Sequence, residues 1–177
     1  ENIRAENGML IIEARKEQYP NAKRQPGADG PAAHEFASHT SASINTRGKH
    51  SWLYGRIEMR AKLPQGKGVW PALWMLGDNI SQVGWPRCGE IDVMEYVGHT
   101  PDSVHGTLHF GTGGGDKHKQ IGKEHKTPRP FDDFHVYAVE WYPDRIDFYF
   151  DDTMYLTVTM EQVIEASGEN PFNRPHY

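Results

Sequence analysis

Tyr54-Gly55-Arg56-Ile57-Glu58-Met59-Arg60-Ala61-Lys62-Leu63 alternates without a break. Tyr54, Arg56, Glu58, Arg60 and Lys62 fall on one face, and Gly55, Ile57, Met59, Ala61 and Leu63 on the other. A period of two marks a strand with one face on a core and the other in solvent. Residues 104–110 repeat the pattern, with His105, Thr107 and His109 opposite Val104, Gly106, Leu108 and Phe110. Residues 135–142, 146–150 and 154–160 read as further strands, separated by turn signals at Pro143-Asp144 and Asp151-Asp152. Short alternating strands between Gly, Pro and Asp turns predict an all-β fold, an antiparallel β-sandwich. A helix is expected only near Met160–Ala166. Residues 20–35 and 111–130 read as surface loops.

Composition narrows the function classes. The 177 residues suit one domain with a sizeable core, and no linker, repeat or charge block divides them. A mean hydropathy of −0.74 without a long apolar run gives no sign of a membrane span. A net charge of −5 speaks against a nucleic-acid partner, and a monomer is expected. The single cysteine, Cys88, excludes an internal disulfide. Its acidic neighbourhood would raise a thiol pKa, so Cys88 reads as a small packed residue rather than a nucleophile. Glu1-Asn2-Ile3-Arg4 has neither the basic nor the apolar region of a signal peptide.

The chemistry is concentrated in Glu90-Ile91-Asp92-Val93-Met94-Glu95, three carboxylates in an otherwise apolar strand bracketed by Gly89 and Gly98. Like charges packed this closely oppose folding, so they invite a chemical explanation. On a regular strand Glu90 and Asp92 share a face while Glu95 points away. A β-bulge at Val93-Met94 would add one residue and bring Glu95 back beside them. The glutamate Cα atoms would then be roughly 13 Å apart at about 3.3 Å per residue. Leaning side chains would narrow the carboxyl gap to about 5–5.5 Å, the separation used in retaining glycosidic cleavage. The competing reading is an acidic strand edge that discourages aggregation.

Trp70, Trp74 and Trp85 flank this strand, and indole rings stack on pyranose faces and offer an N–H to hydroxyls. Trp85, between Gly84 and Pro86, is the leading subsite candidate. Trp70 and Trp74 are expected to share a strand face, and Trp141 to pack in the core. His105 and His109 have the spacing of a helical zinc pair, but on a strand they lie about 13 Å apart, so no metal is expected. Gly113-Gly114-Gly115 lacks the Gly-Lys-Ser/Thr ending of a phosphate loop and reads as a flexible turn.

The stretch Gly84-Trp85-Pro86-Arg87-Cys88-Gly89-Glu90-Ile91-Asp92-Val93-Met94-Glu95-Tyr96-Val97-Gly98 resembles the active-site signature of glycoside hydrolase family 16, in its laminarinase-like branch. Residues 54–64, Gly68-Val69-Trp70-Pro71-Ala72-Leu73-Trp74-Met75-Leu76-Gly77, 134–141 and 7–14 agree with the family as well. The resemblance implies a concanavalin A-like jelly roll, with Glu90 as nucleophile, Glu95 as general acid/base and Asp92 orienting Glu90. It implies that Arg56 contacts the nucleophile region, that His109 lies near the cleavage site, and that Asn45, in Ser43-Ile44-Asn45-Thr46, touches sugar. It also implies that residues 1–177 are one catalytic domain lacking terminal strands at both ends. No cofactor is needed; a structural calcium would take its ligands mostly from segments outside this chain.

The expected activity is retaining endo-hydrolysis of β-1,3-glucan, outside the cell or in the periplasm. The alternatives are a family 16 hydrolase for mixed-linkage glucan, agar, porphyran or carrageenan, and a non-catalytic glucan-binding protein. Relatives of the last kind typically lose the acidic pair that is kept here.

Overall fold

Asn7 and Gly8 hold consecutive positive φ angles of 52° and 74°, the backbone of a two-residue hairpin turn. They join β1 (Ile3–Glu6) to β2 (Met9–Ile12), and β3 (Arg15–Pro20) pairs with β4 (Phe36–Thr40). These hairpins form one compact unit, Glu1–Asn45; Thr46–Tyr177 form a second. The structure, a computed structural model, describes residues 2–177.

The second unit contains β5 (Gly55–Ala61), β6 (Ala72–Leu76), α1 (Ile80–Val83), β7 (Glu90–Glu95), β8 (Ser103–Gly111), β9 (His118–Lys126), β10 (His135–Trp141), β11 (Arg145–Phe150), β12 (Thr153–Thr159) and α2 (Met160–Ser167). Two antiparallel sheets result, in the orders β6-β7-β8-β9 and β12-β11-β10-β5. Ile91, Leu108 and Phe110 of the first sheet and Val139, Ile146, Phe148 and Val158 of the second are fully buried in one cluster. This is the expected antiparallel sandwich. The expected helix begins at Met160, where Thr159 and Gln162 form a reciprocal capping box, and ends at Gly168 with φ 77°. Trp141 is a core residue, its indole N–H donating to the Phe172 carbonyl at 3.1 Å.

Two expectations need correction. Residues 118–126 are not loop but strand β9, paired along its whole length with β8. Among its core-facing residues only Ile121 is aliphatic, so the hydrophobic period is too weak to read. Its ladder with β8 supplies the stability instead. Met59, expected on the buried face of β5, remains 49% exposed. Among the described residues β5 pairs with β10 alone, and only Ile57 and Ala61 reach the core.

The bulge on β7 is present. Glu90, Asp92 and Glu95 lie opposite His109, Thr107 and His105, so Val93 and Met94 together face the single residue Gly106. Val93 and Met94 are both buried. Gly106 has no room for a side chain, because a Cβ there would lie 2.6 Å from Phe148 Cδ1. Met94→Leu keeps volume and residue count and should cost under about 1.5 kcal/mol. Deleting Met94 should turn Glu95 toward the core and abolish activity even where the chain folds. Chemical denaturation and an activity assay on the two variants test this.

A second constraint closes the edge of β6. Residues 175–177 pair with Trp52 and with the end of β6, through His176 to Trp52 and Tyr177 to Leu76. His176 is fully buried against Trp141 and Phe172, and its Nδ1–H donates to the Arg174 carbonyl at 2.9 Å. Burial pushes its pKa down to about 4. The folded state therefore holds His176 neutral while the unfolded chain binds a proton below its ordinary value. Stability is complete above about pH 6.5 and falls as pH drops toward 4, by about 3 kcal/mol in full. His176→Asn should flatten the dependence of melting temperature on pH across that window.

Candidate active site

β7 is an inner strand of its sheet, held by β6 on one side and β8 on the other. Ile91, Val93 and Met94 anchor it in the core, and the bulge leaves all three carboxylates on the opposite face. Asp92 is buried; Glu90 and Glu95 are half-buried. Each glutamate accepts a hydrogen bond from a different tryptophan. Trp85 Nε1–H donates to Glu90 Oε2 at 2.5 Å, and Trp70 Nε1–H donates to Glu95 Oε1 at 2.9 Å. His109 Nε2 lies 3.2 Å from Asp92 Oδ2. Its Nδ1 lies 2.9 Å from His118 Nε2.

Burial, then the Asp92 charge, raises the Glu90 pKa, and the Trp85 hydrogen bond offsets part of this. The same two causes raise Glu95, offset by Trp70. The hydrogen bond to Asp92 raises His109 against the opposing effect of burial. Two glutamates with elevated proton affinity on one open face are suited to holding and passing a proton near neutral pH.

This arrangement has relatives. The family model of glycosyl hydrolases family 16 matches residues 2–176. The chain belongs to this family. A beta-glucanase of Rhodothermus marinus is 42% identical over 182 residues, covering 100% of this chain and 58% of that protein. Glucan endo-1,3-beta-glucosidase A1 of Niallia circulans is 38% identical over 188 residues, covering 100% of this chain and 26% of that protein. The laminarinase catalytic domain of Thermotoga maritima superposes with a TM-score of 0.86 at 42% identity, over 99% of this chain and 66% of the other. The chain thus spans 58% of the Rhodothermus protein and about a quarter of the Niallia one.

The residues expected at a family 16 site divide into those the fold gathers and those it does not. Glu90, Asp92, Glu95, Trp85, Trp70 and His109 are gathered. Trp74 lies opposite Asp92 on β6, on the carboxylate face, and is exposed. Trp70 precedes β6 instead of sharing its strand. Arg56 is not brought to the acids. It lies on β5 of the other sheet, opposite Glu140, where its guanidinium binds Glu58 at 2.7 Å and Glu140 at 3.2 Å. Its alternation puts it outside the sandwich, so it cannot lower the pKa of Glu90. Asn45 is an exposed residue at the end of the first unit.

His118 joins the site without having been expected there. Its one sequence signal was the alternation of His118, Gln120, Gly122 and Glu124, masked by polar residues on both faces. Cys88 is fully buried, and burial raises its thiol pKa, in keeping with a packing role.

Asp92, Glu95 and His109 each bring one ligand atom within 4.8 Å of the others, the one such trio among the described residues. It does not fit a structural calcium, a hard cation that takes six to eight oxygen ligands. Its imidazole nitrogen faces Asp92 at proton-sharing distance, and one Glu95 oxygen is bound by Trp70.

Asp92→Asn removes the charge that raises both glutamates. Their titration midpoints, followed by carbon NMR of the carboxyls, should both fall. Unchanged midpoints would remove Asp92 as the cause.

Proposed function

We propose that this domain is a retaining endo-β-1,3-glucanase acting on laminarin-like polymers outside the cell, as a monomer. The observation that carries the reading is the bulged β7, which sets Glu90 and Glu95 on one face with Asp92 between them. The glucanase and laminarinase names of its relatives support the polymer class.

In this reading Glu95 donates its proton to the glycosidic oxygen as Glu90 attacks the anomeric carbon. The aglycone leaves and a glycosyl ester of Glu90 remains. Glu95, now ionised, takes a proton from water, which attacks the same carbon and releases Glu90 as carboxylate. Burial and the Asp92 charge keep Glu95 protonated to a higher pH than an exposed glutamate, which suits the acid step. They raise Glu90 as well, so activity should fall on the acid side as Glu90 takes up a proton. The N–H of Trp85 favours the ionised nucleophile. The exposed rings of Trp70, Trp74 and Trp85 offer stacking surfaces to sugar.

Glu90→Gln should lower laminarin hydrolysis by about a thousandfold or more while glucan still binds. Glu95→Ala should be slow on laminarin yet recover on an aryl glycoside with a good leaving group, which needs little acid assistance. Proton NMR of the first product should show the β-anomer. An α-anomer would reject the double displacement, and equal losses on both substrates would move the acid role from Glu95.

A further inference from the structure

His118 has no task in a double displacement, yet it touches the partners of two of the three carboxylates. It is the first residue of β9, opposite Gly111 on β8. Its Nε2 lies 2.9 Å from His109 Nδ1, with the two rings stacked at 5.1 Å and an interplanar angle of 30°. Its ring centroid lies 4.7 Å from that of Trp85. Trp85 donates to Glu90, and His109 faces Asp92. One imidazole thus backs both.

The hydrogen-bond inventory fixes the direction of this chain. Asp92 Oδ2 is buried with no hydrogen-bond partner, 3.2 Å from His109 Nε2; as a carboxylate Asp92 can only accept, so the proton that serves it belongs to His109 Nε2. Nδ1 is left to His118. When His109 is cationic, Nδ1–H donates to His118 Nε2; when His109 is neutral, Nδ1 accepts from His118 Nε2–H. A partner that keeps the bond in both states must be able to donate and to accept. The titratable groups that act on His109 are Asp92, Glu90 and Glu95 from β7 and His118 from β9. The carboxylates favour the His109 cation, while burial and that cation favour neutral His118. Both effects favour donation from His109 to His118.

We infer that His118 is a positioning residue of the glycosidase site: its Nε2, bonded to His109 Nδ1, keeps the His109 Nε2–H turned to Asp92. This rests on the reading of Glu90 and Asp92 given above. A residue that merely filled space beneath Trp85 could be replaced by any flat ring, and that decides the test. His118→Phe keeps the ring and removes the nitrogen. His118→Gln removes the ring but restores a side chain that donates and accepts.

The measurement is the titration of His109 by nitrogen NMR in the purified protein without polysaccharide, beside kcat and KM on laminarin. His118→Phe should lower the His109 midpoint by about one pH unit, because the cation loses its acceptor. It should lower kcat about tenfold with KM little changed. His118→Gln should recover the midpoint and most of kcat. An unchanged midpoint in His118→Phe overturns the inference, whatever the activity. So does a shifted midpoint with unchanged kcat. If the titrations follow while the parent protein cleaves no β-1,3-glucan, the polymer assignment fails and the His118 contact stands.

Discussion

One extra residue in one strand is the constraint on which the site depends. Side chains on a strand alternate, so the five-residue interval from Glu90 to Glu95 puts them on opposite faces of any regular sheet. The bulge at Val93-Met94 converts that interval into an even one. Its anchorage is apolar. Ile91, Val93 and Met94 are buried beneath the acids, and burying side chains of this size contributes about 1.5–3 kcal/mol each. The facing glycine on β8 lets Phe148 pack closely at the same level.

The electrostatics oppose the fold they sit in. Asp92 and burial raise both glutamates above their ordinary values, so the folded state binds these protons more tightly than the unfolded chain does. Each glutamate therefore destabilises the native state above its raised pKa, and that loss is relieved as pH falls through it. His176 has the opposite sign, losing stability on acidification because burial keeps it neutral. A mildly acidic medium thus relaxes the carboxylate face while loading the edge of the same sheet, where residues 175–177 hold β6. The two indole N–H bonds and the His109 contact partly compensate the repulsion locally.

Much of this was legible in the chain because it rests on period and local charge. The alternation in residues 54–63 and 104–110, the turn residues and the acidic triad each act over a few positions, and they gave the sandwich, the bulge and three carboxylates. What was not legible rests on pairing across the sheet. β9 carries too few apolar residues to show a period, and only its ladder with β8 reveals it, so His118 was hidden with it. Arg56 failed for the complementary reason. Its strand and face were read correctly, but which sheet that strand joins is a long-range property, and β5 pairs with β10, away from the acids. The tryptophans were found by residue type near a motif, while their bonds to the glutamates required the folded segments ahead of β6 and β7.

Those two bonds also limit what the site can discriminate. An indole has a single N–H, and in Trp70 and Trp85 it is committed to a glutamate carboxylate. While that commitment holds, neither ring has a donor left for a sugar hydroxyl, and each can offer only its flat apolar surface. A ring face stacks on the flat C–H face of a pyranose whose hydroxyls are equatorial, and an axial hydroxyl on that face breaks the contact. Under the glucanase reading proposed above, those rings would sense a sugar by the shape of its stacked face, and every hydrogen bond to a hydroxyl would fall to other side chains.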